Sequence, residues 1–191
     1  MSLLQVREPR PRLFRREEYE DLVRQGTFER ERVELIRGVI VSMSPLRVAH
    51  NFTVMTLSEL LTSALGRKRA WVRVQMTFRA GSSLPEPDLA CVPRNRDYAH
   101  AHPSEALLIV EVADSSLNHD RATKAALYAE AGVPEYWVVD LADGLVEVRR
   151  HPRKGSYASC DVVLRGERLR VPGTRRSLKV NDFLPPRHRA S

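Results

Sequence analysis

Hydrophobic and polar residues follow two different periodicities along this chain, one typical of strands and the other typical of helices. Runs with an apolar residue at every second position, and runs that are apolar throughout, are typical of strands. They predict strands over residues 32–43 (two strands about a turn at Arg37 and Gly38), 71–78, 88–92, 107–112, 135–140, 145–149, 156–164 and 178–180. The chain should therefore contain a sheet built mostly from its central part.

Helical spacing of apolar residues predicts helices over residues 17–25, 48–65 and 119–131. The second is the clearest, because it has an apolar stripe and ends at Gly66. The stripe consists of Phe52, Met55, Leu57, Leu60, Leu61 and Leu65. The pattern predicts a mixed α/β fold, with strands in the middle and two main helices beside them.

Length and composition fit one soluble domain spanning residues 1–191, with a loose Pro- and Arg-rich arm over 1–16 and a basic tail over 185–191. Hydrophobic residues make up 42% of the chain and charged residues 29%. No apolar run approaches the roughly 20 residues of a membrane helix. The first residues also lack the apolar segment of a signal peptide, so we expect a cytoplasmic protein without a membrane partner. Cys91 and Cys160 do not form a zinc-binding motif, and we do not expect a disulfide between them.

The net charge is +7 and the isoelectric point is about 9.9. An excess of this size favours a polyanionic partner, because each neutralised phosphate releases counterions. The alternative is a general compositional bias, since the chain has 27 Arg and only 4 Lys. Both explanations remain open at this stage.

Two carboxylates occupy matched places in the apolar runs. Asp88 begins one run after Pro87, and Glu111 lies near the end of another. If these runs are neighbouring antiparallel strands, the two side chains meet at one edge of the sheet, where a divalent cation would relieve their repulsion. The alternatives are a turn aspartate for Asp88 and a buried ion pair with an arginine for Glu111.

Lys124 is expected to face inward. At 100° per residue it shares a helical face with Leu127 and Tyr128, and also with Asp120. A lysine beside a carboxylate-bound metal is typical of phosphodiester hydrolysis. The alternative is a surface pair with Asp120, worth about 0.3–0.5 kcal/mol.

Three further polar residues are ambiguous. Glu34 lies between Val33 and Leu35, and spacing alone favours an ordinary outward-facing strand residue. His50 precedes the helical stripe and is more typical of a cap or surface position, and Gln75 is equally open. The chain has no phosphate-binding P-loop, no nucleophile elbow and no zinc-spaced histidine pair.

Several short segments follow one another along the chain in a characteristic order. Through these segments the chain resembles the large bacterial family of putative restriction endonucleases, which belongs to the PD-(D/E)xK nuclease-like superfamily. The resemblance extends over residues 16–140 and, more weakly, to 184. Its segments are 34–38, 43–45 with His50, Pro87 with Asp88, 110–112 with Ser115, Asp120 with Lys124 and Tyr128, and 132–140.

The resemblance implies a restriction-endonuclease-like α/β fold, in which a central mixed sheet is flanked by helices. It implies that Asp88 and Glu111 bind a metal together with the backbone carbonyl of Val112, and that Glu34 completes the shell. The usual superfamily lysine would stand at Ala113, so Lys124 on the following helix would replace it and orient or deprotonate the attacking water.

The implied function is a Mg²⁺- or Mn²⁺-dependent DNA endonuclease that acts as a homodimer. The alternative is a non-catalytic module that binds nucleic acid or protein on the same scaffold.

Overall fold

The structure is a computed structural model that describes residues 11–45, 47–66 and 68–186. Most of the predicted N-terminal arm and the last residues of the basic tail lie outside these ranges. The helices are α1 (Arg16–Arg24), α2 (Val48–Leu65), α3 (Leu117–His119) and α4 (Ala125–Glu130), with a π-helical turn at Asp120–Lys124 and a 3₁₀ turn at Val180–Asp182. The strands are β1 (Val33–Ile36), β2 (Val39–Ser42), β3 (Ala70–Val74), β4 (Leu89–Pro93), β5 (Leu108–Ala113), β6 (Glu135–Asp140), β7 (Leu145–Arg153), β8 (Ser156–Leu164), β9 (Arg168–Arg170) and β10 (Ser177–Lys179).

Six strands form the central sheet, in the order β3-β4-β5-β6-β7-β8. The pair β5–β6 is parallel and the other pairs are antiparallel, so the sheet is mixed, as predicted. Buried side chains form separate clusters on its two faces, one containing α2 and the other containing α4. The mixed α/β fold with flanking helices is thus confirmed. No described helix is both long and apolar enough to cross a membrane.

Helix α2 has the predicted bounds but not the predicted apolar stripe. Leu57, Leu61 and Leu65 are buried, whereas Phe52 and Met55 are 37% and 59% exposed. The buried face instead includes His50 and residues three, four and seven positions after it, because the helix lies on the sheet along that line. Phe52 and Met55 fall on the other side.

Strand β3 ends at Val74 and not at the predicted residue 78. Gln75 takes a left-handed backbone conformation with φ 48°, which turns the chain out of the ladder. Its backbone N–H still donates to the carbonyl of Asp88, at 3.1 Å. Gln75 therefore remains beside the start of β4 although the strand has ended.

The predicted helix over 119–131 begins earlier and is not uniform. It runs from Leu117 to Glu130 through the π-helical turn at Asp120–Lys124. A π turn holds an additional residue and is often found at functional sites. Both ends of this turn, Asp120 and Lys124, are buried against the sheet.

Candidate active site

The register of β4 and β5 brings two acidic residues together. Leu89 pairs with Val110, so Asp88 lies opposite Glu111 at the edge of the sheet. The backbone N–H of Asp88 donates to Oε2 of Glu111 at 3.2 Å, and the backbone N–H of Val112 donates to Oδ2 of Asp88 at 2.8 Å. Both side chains are buried. The predicted antiparallel neighbours are thus confirmed.

Lys124 reaches the same place from the helix. Its Nζ donates to Oε1 of Glu111 at 3.1 Å and to Oε2 of Glu34 at 2.7 Å, and the side chain is 3% exposed. The hydroxyl of Tyr128 also donates to Oε1 of Glu111, at 2.7 Å. The inward direction of Lys124 is confirmed. The partner of Glu111 is a lysine and not the arginine that the alternative supposed.

The alternative pair between Asp120 and Lys124 does not form. Oδ2 of Asp120 instead accepts a hydrogen bond from the hydroxyl of Ser116, at 2.5 Å. The π-helical turn between the two residues gives them a spacing other than that of an ordinary helix.

Glu34 is buried at 3% exposure, so the outward-facing reading from spacing alone was wrong. All four residues of β1 are buried, because the β1–β2 hairpin lies over the site instead of joining the central sheet. Oε2 of Glu34 accepts from the backbone N–H of Glu86 at 3.1 Å, in addition to Lys124. This places Glu34 beside the acids as the family resemblance implied.

Two polar side chains that were ambiguous in the sequence hold Asp88 in position. His50 Nε2 lies 3.0 Å from Oδ1 of Asp88, and Gln75 Nε2 donates to the same oxygen at 3.2 Å. His50 is buried, so the expectation of a cap or surface residue was wrong. Its spacing to Thr53, Val54 and Leu57 could have revealed this, because all of them share the buried face of α2. No sequence signal marked Gln75.

A cavity of about 320 Å³, which we call the acidic cavity, lies among these elements and is lined by His50 as well as by the acids. Of its described lining residues, four are buried acids and one is a buried lysine: Glu34, Asp88, Glu111, Asp120 and Lys124. Burial raises the pKa of Glu111 to about 8; Lys124 opposes this rise, and the neighbouring carboxylates add to it. Burial lowers the pKa of Lys124, but Glu111 and Glu34 outweigh it, so the net shift is upward and the lysine stays charged.

The contact between Asp88 and His50 shifts the pKa of both groups and keeps the aspartate ionised. Burial raises the pKa of Asp88, but the hydrogen bond and charge of His50 and the N–H of Val112 hold it below its usual value. Burial lowers the pKa of His50, and its contact with Asp88 reverses this and raises it. The pKa of Asp88 is thus lowered and that of Glu111 is raised, so of these two acids Glu111 takes up a proton first as the pH falls.

We expect the free energy of unfolding, measured without divalent cations, to fall as pH rises from about 5 to 8. The native pKa of Glu111 lies above its ordinary value of 4.5, so the native state binds more protons in this window and loses stability as Glu111 ionises. The raised pKa of His50 acts in the same direction. Denaturant unfolding of wild type and Glu111→Gln across this range isolates the first contribution. The variant should show a flatter profile, and parallel profiles would contradict the raised pKa.

The chemistry of the acidic cavity fits a hard divalent cation, because carboxylate and carbonyl oxygens are the ligands that Mg²⁺ takes. The cavity holds four buried acids and one buried lysine. The high pKa of Glu111 comes first from burial, and the neighbouring carboxylates add to it. Within residues 11–45, 47–66 and 68–186, no three acidic, histidine or cysteine side chains are already grouped to hold an ion. The oxygen atoms of the acidic cavity suit a metal ion, but Lys124 already donates a hydrogen bond to one of them, Oε1 of Glu111.

Comparison with known proteins identifies one family and several solved structures that resemble this chain. The family Uma2, described as "Putative restriction endonuclease", matches residues 16–181. The crystal structure of a putative nuclease belonging to DUF820 from Anabaena variabilis ATCC 29413 superposes with a TM-score of 0.72 at 17% sequence identity, over 89% of this chain and 97% of that one. No curated protein matches the sequence. At this identity the structural likeness supports the fold alone.

Proposed function

We propose that this chain, which belongs to the Uma2 family of putative restriction endonucleases, is a Mg²⁺- or Mn²⁺-dependent DNA endonuclease that hydrolyses phosphodiester bonds. The observation that supports this most is the convergence of Asp88, Glu111 and Lys124 in one acidic cavity at the edge of the sheet. The net charge of +7 suits a polyanionic substrate.

Asp88, Glu111 and the backbone carbonyl of Val112 would hold the ion. When bound, it polarises a phosphoryl oxygen and lowers the pKa of a water molecule. His50 and Gln75 both contact Oδ1 of Asp88 and so fix the direction of its carboxylate. They are positioning residues in this proposal, comparable to the outer partners that orient metal ligands in other sites.

Lys124 would place a positive charge where negative charge develops on the phosphoryl group. Its raised pKa suits this electrostatic role and not removal of a proton from water, which needs a neutral amine. Glu34 holds the ammonium group at 2.7 Å and supplies the counter-charge that keeps it protonated inside the protein. Glu34 therefore acts through Lys124.

One feature favours the alternative of a non-catalytic binding module. Both oxygens of Asp88 and both oxygens of Glu111 already accept hydrogen bonds from the protein. A closed set of this kind also stabilises a fold without doing chemistry. The two functions differ in one result, which is cleavage of DNA.

The proposed endonuclease is expected to nick or linearise supercoiled plasmid in Mg²⁺ or Mn²⁺ and to be inactive with a chelator. Gel electrophoresis over a time course measures this. Binding should weaken steeply with salt, by about 0.9 log units per log unit of salt for each phosphate contacted. Plasmid that stays intact with either metal would favour the binding module. The proposal also includes a homodimer, in which two active sites would cut the two DNA strands.

A further inference from the structure

Strand β3 is an edge of the central sheet and carries an exposed aromatic residue. Trp71 is 47% exposed. It pairs with Val92 on β4, and Arg73 pairs with Ala90, so Trp71 and Arg73 lie on the same face as Asp88, two residues before Ala90. The edge and the acidic cavity therefore share one face of the sheet.

Two grooves lie beside that edge, and the first of them shares one lining residue with the acidic cavity. The first, about 870 Å³, is lined by five arginines and three glutamates, and it meets the acidic cavity at Glu86. The second, about 860 Å³, contains Trp71 and three arginines with one aspartate. Arg73 and Tyr98 line both grooves and join them. We call the two together the arginine–tryptophan channel.

Part of the positive charge in this channel has no acidic partner. Within the described part of the chain, Arg73, Arg79 and Arg94 form no ion pair, whereas Arg32 and Arg96 do. The Nε of Arg73 is buried and has no hydrogen-bond acceptor. The channel is thus complementary to an anionic chain.

Trp71 and Arg94 form a stacked pair in the channel. The guanidinium carbon of Arg94 lies 3.7 Å from the centroid of the Trp71 ring. Aromatic rings and arginine planes are the surfaces on which unpaired bases stack, whereas bases inside a duplex are already stacked on one another. A flat, exposed pair beside free arginines suits the bases and phosphates of a single strand together.

We propose that the arginine–tryptophan channel binds a single-stranded stretch of DNA, with a base stacked against the Trp71–Arg94 pair. The inference rests on the proposed function, in that the strand bound here leads to the acidic cavity. Trp71 lies four positions before Gln75, whose N–H donates to the carbonyl of Asp88, and four steps at ~3.3 Å each span about 13 Å. The preferred substrate is therefore a single strand, or a duplex with an unpaired segment.

Intrinsic fluorescence tests the stacking directly. The chain has two tryptophans, and Trp137 is fully buried, so a change caused by ligand in the channel reports on Trp71. With a chelator present, we expect oligothymidylate to quench the fluorescence emission of Trp71. An abasic oligomer with the same number of phosphates, and a blunt duplex of the same length, should quench it much less.

Affinity, measured by anisotropy of labelled oligothymidylate, should fall about tenfold in Trp71→Ala and change little in Trp71→Phe, which keeps an aromatic face. Arg94→Ala should also weaken binding. The matched controls are Phe52→Ala, an exposed aromatic residue on the opposite face of the sheet, and Arg153→Ala, an exposed arginine at the end of β7. Both should bind as wild type does.

Equal affinity for the abasic oligomer, or unchanged affinity in Trp71→Ala, would overturn the inference. So would Trp71 emission that shifts with protein concentration in the absence of DNA, because a second copy of the chain would then cover the channel. Since binding is measured without metal, it is separate from cleavage. Cleavage with unaltered binding in Trp71→Ala refutes the channel alone, and base-dependent binding without cleavage refutes the endonuclease alone.

Discussion

Replacing Lys124 by alanine is expected to lower the free energy of unfolding by about 3–5 kcal/mol, because it leaves buried carboxylates without their counter-charge. Lys124 is 3% exposed and contacts both Glu34 and Glu111. Urea unfolding near neutral pH measures the effect.

Two comparisons show whether the loss comes from the uncompensated charge. The double variant Lys124→Ala, Glu34→Gln should recover part of the free energy of unfolding that Lys124→Ala loses, because one of the buried carboxylates without a counter-charge is then absent. Lys179→Ala, at an exposed lysine of β10, should change stability by no more than about 0.5 kcal/mol. A Lys124→Ala variant as stable as the Lys179→Ala variant would contradict the buried ion-pair network.

Asp88→Asn and Glu111→Gln are each expected to reduce metal-dependent cleavage by about 10²–10³ while the protein stays folded. The neutral side chains keep the size of the originals but remove the charge that would hold the ion and shape the transition state. Glu111→Gln tolerates burial well, since burial already favours the uncharged form of this group. Plasmid cleavage rates, with circular dichroism and thermal melting as the check on the fold, measure both parts.

The matched control for these variants is another buried acid outside the acidic cavity. Glu135 is buried, contacts Arg150 and Trp137, and does not line the acidic cavity. Glu135→Gln should lower stability at this contact and leave the cleavage rate per folded molecule unchanged. Cleavage by Glu111→Gln at the rate of this control would remove Glu111 from the proposed mechanism.

Features governed by local patterning could be predicted from the sequence. The bounds of α2, the turn at Arg37 and Gly38, and the buried strand β6 follow from the spacing of apolar residues and from glycine. The meeting of Asp88 and Glu111 needed only one further assumption, that two successive apolar runs pair antiparallel. Polar residues that interrupt such runs were informative because burial of an acid requires a partner.

Features set by packing between distant segments could not be predicted in the same way. Glu34 is buried because a separate hairpin lies over the site, and His50 is buried because α2 rests on the sheet along one particular line. Spacing within β1 does not determine the first arrangement, and spacing within α2 fits both the buried face that contains His50 and the predicted stripe that contained Phe52 and Met55. The turn at Gln75 depends on a left-handed backbone that the alternating pattern concealed. The π-helical turn before Lys124 has no signal in the residue spacing, which fitted an ordinary helix.

The cation site is the central claim, and calorimetric titration with Mn²⁺ or Mg²⁺ tests it most directly. At neutral pH the wild-type protein should bind the ion and release a proton, because Glu111, with a pKa of about 8, must ionise to become a ligand. The heat should then depend on the ionisation enthalpy of the buffer, and binding should be lost in Asp88→Asn. Absence of binding by the wild type, or equal binding by wild type and Asp88→Asn, would contradict the account.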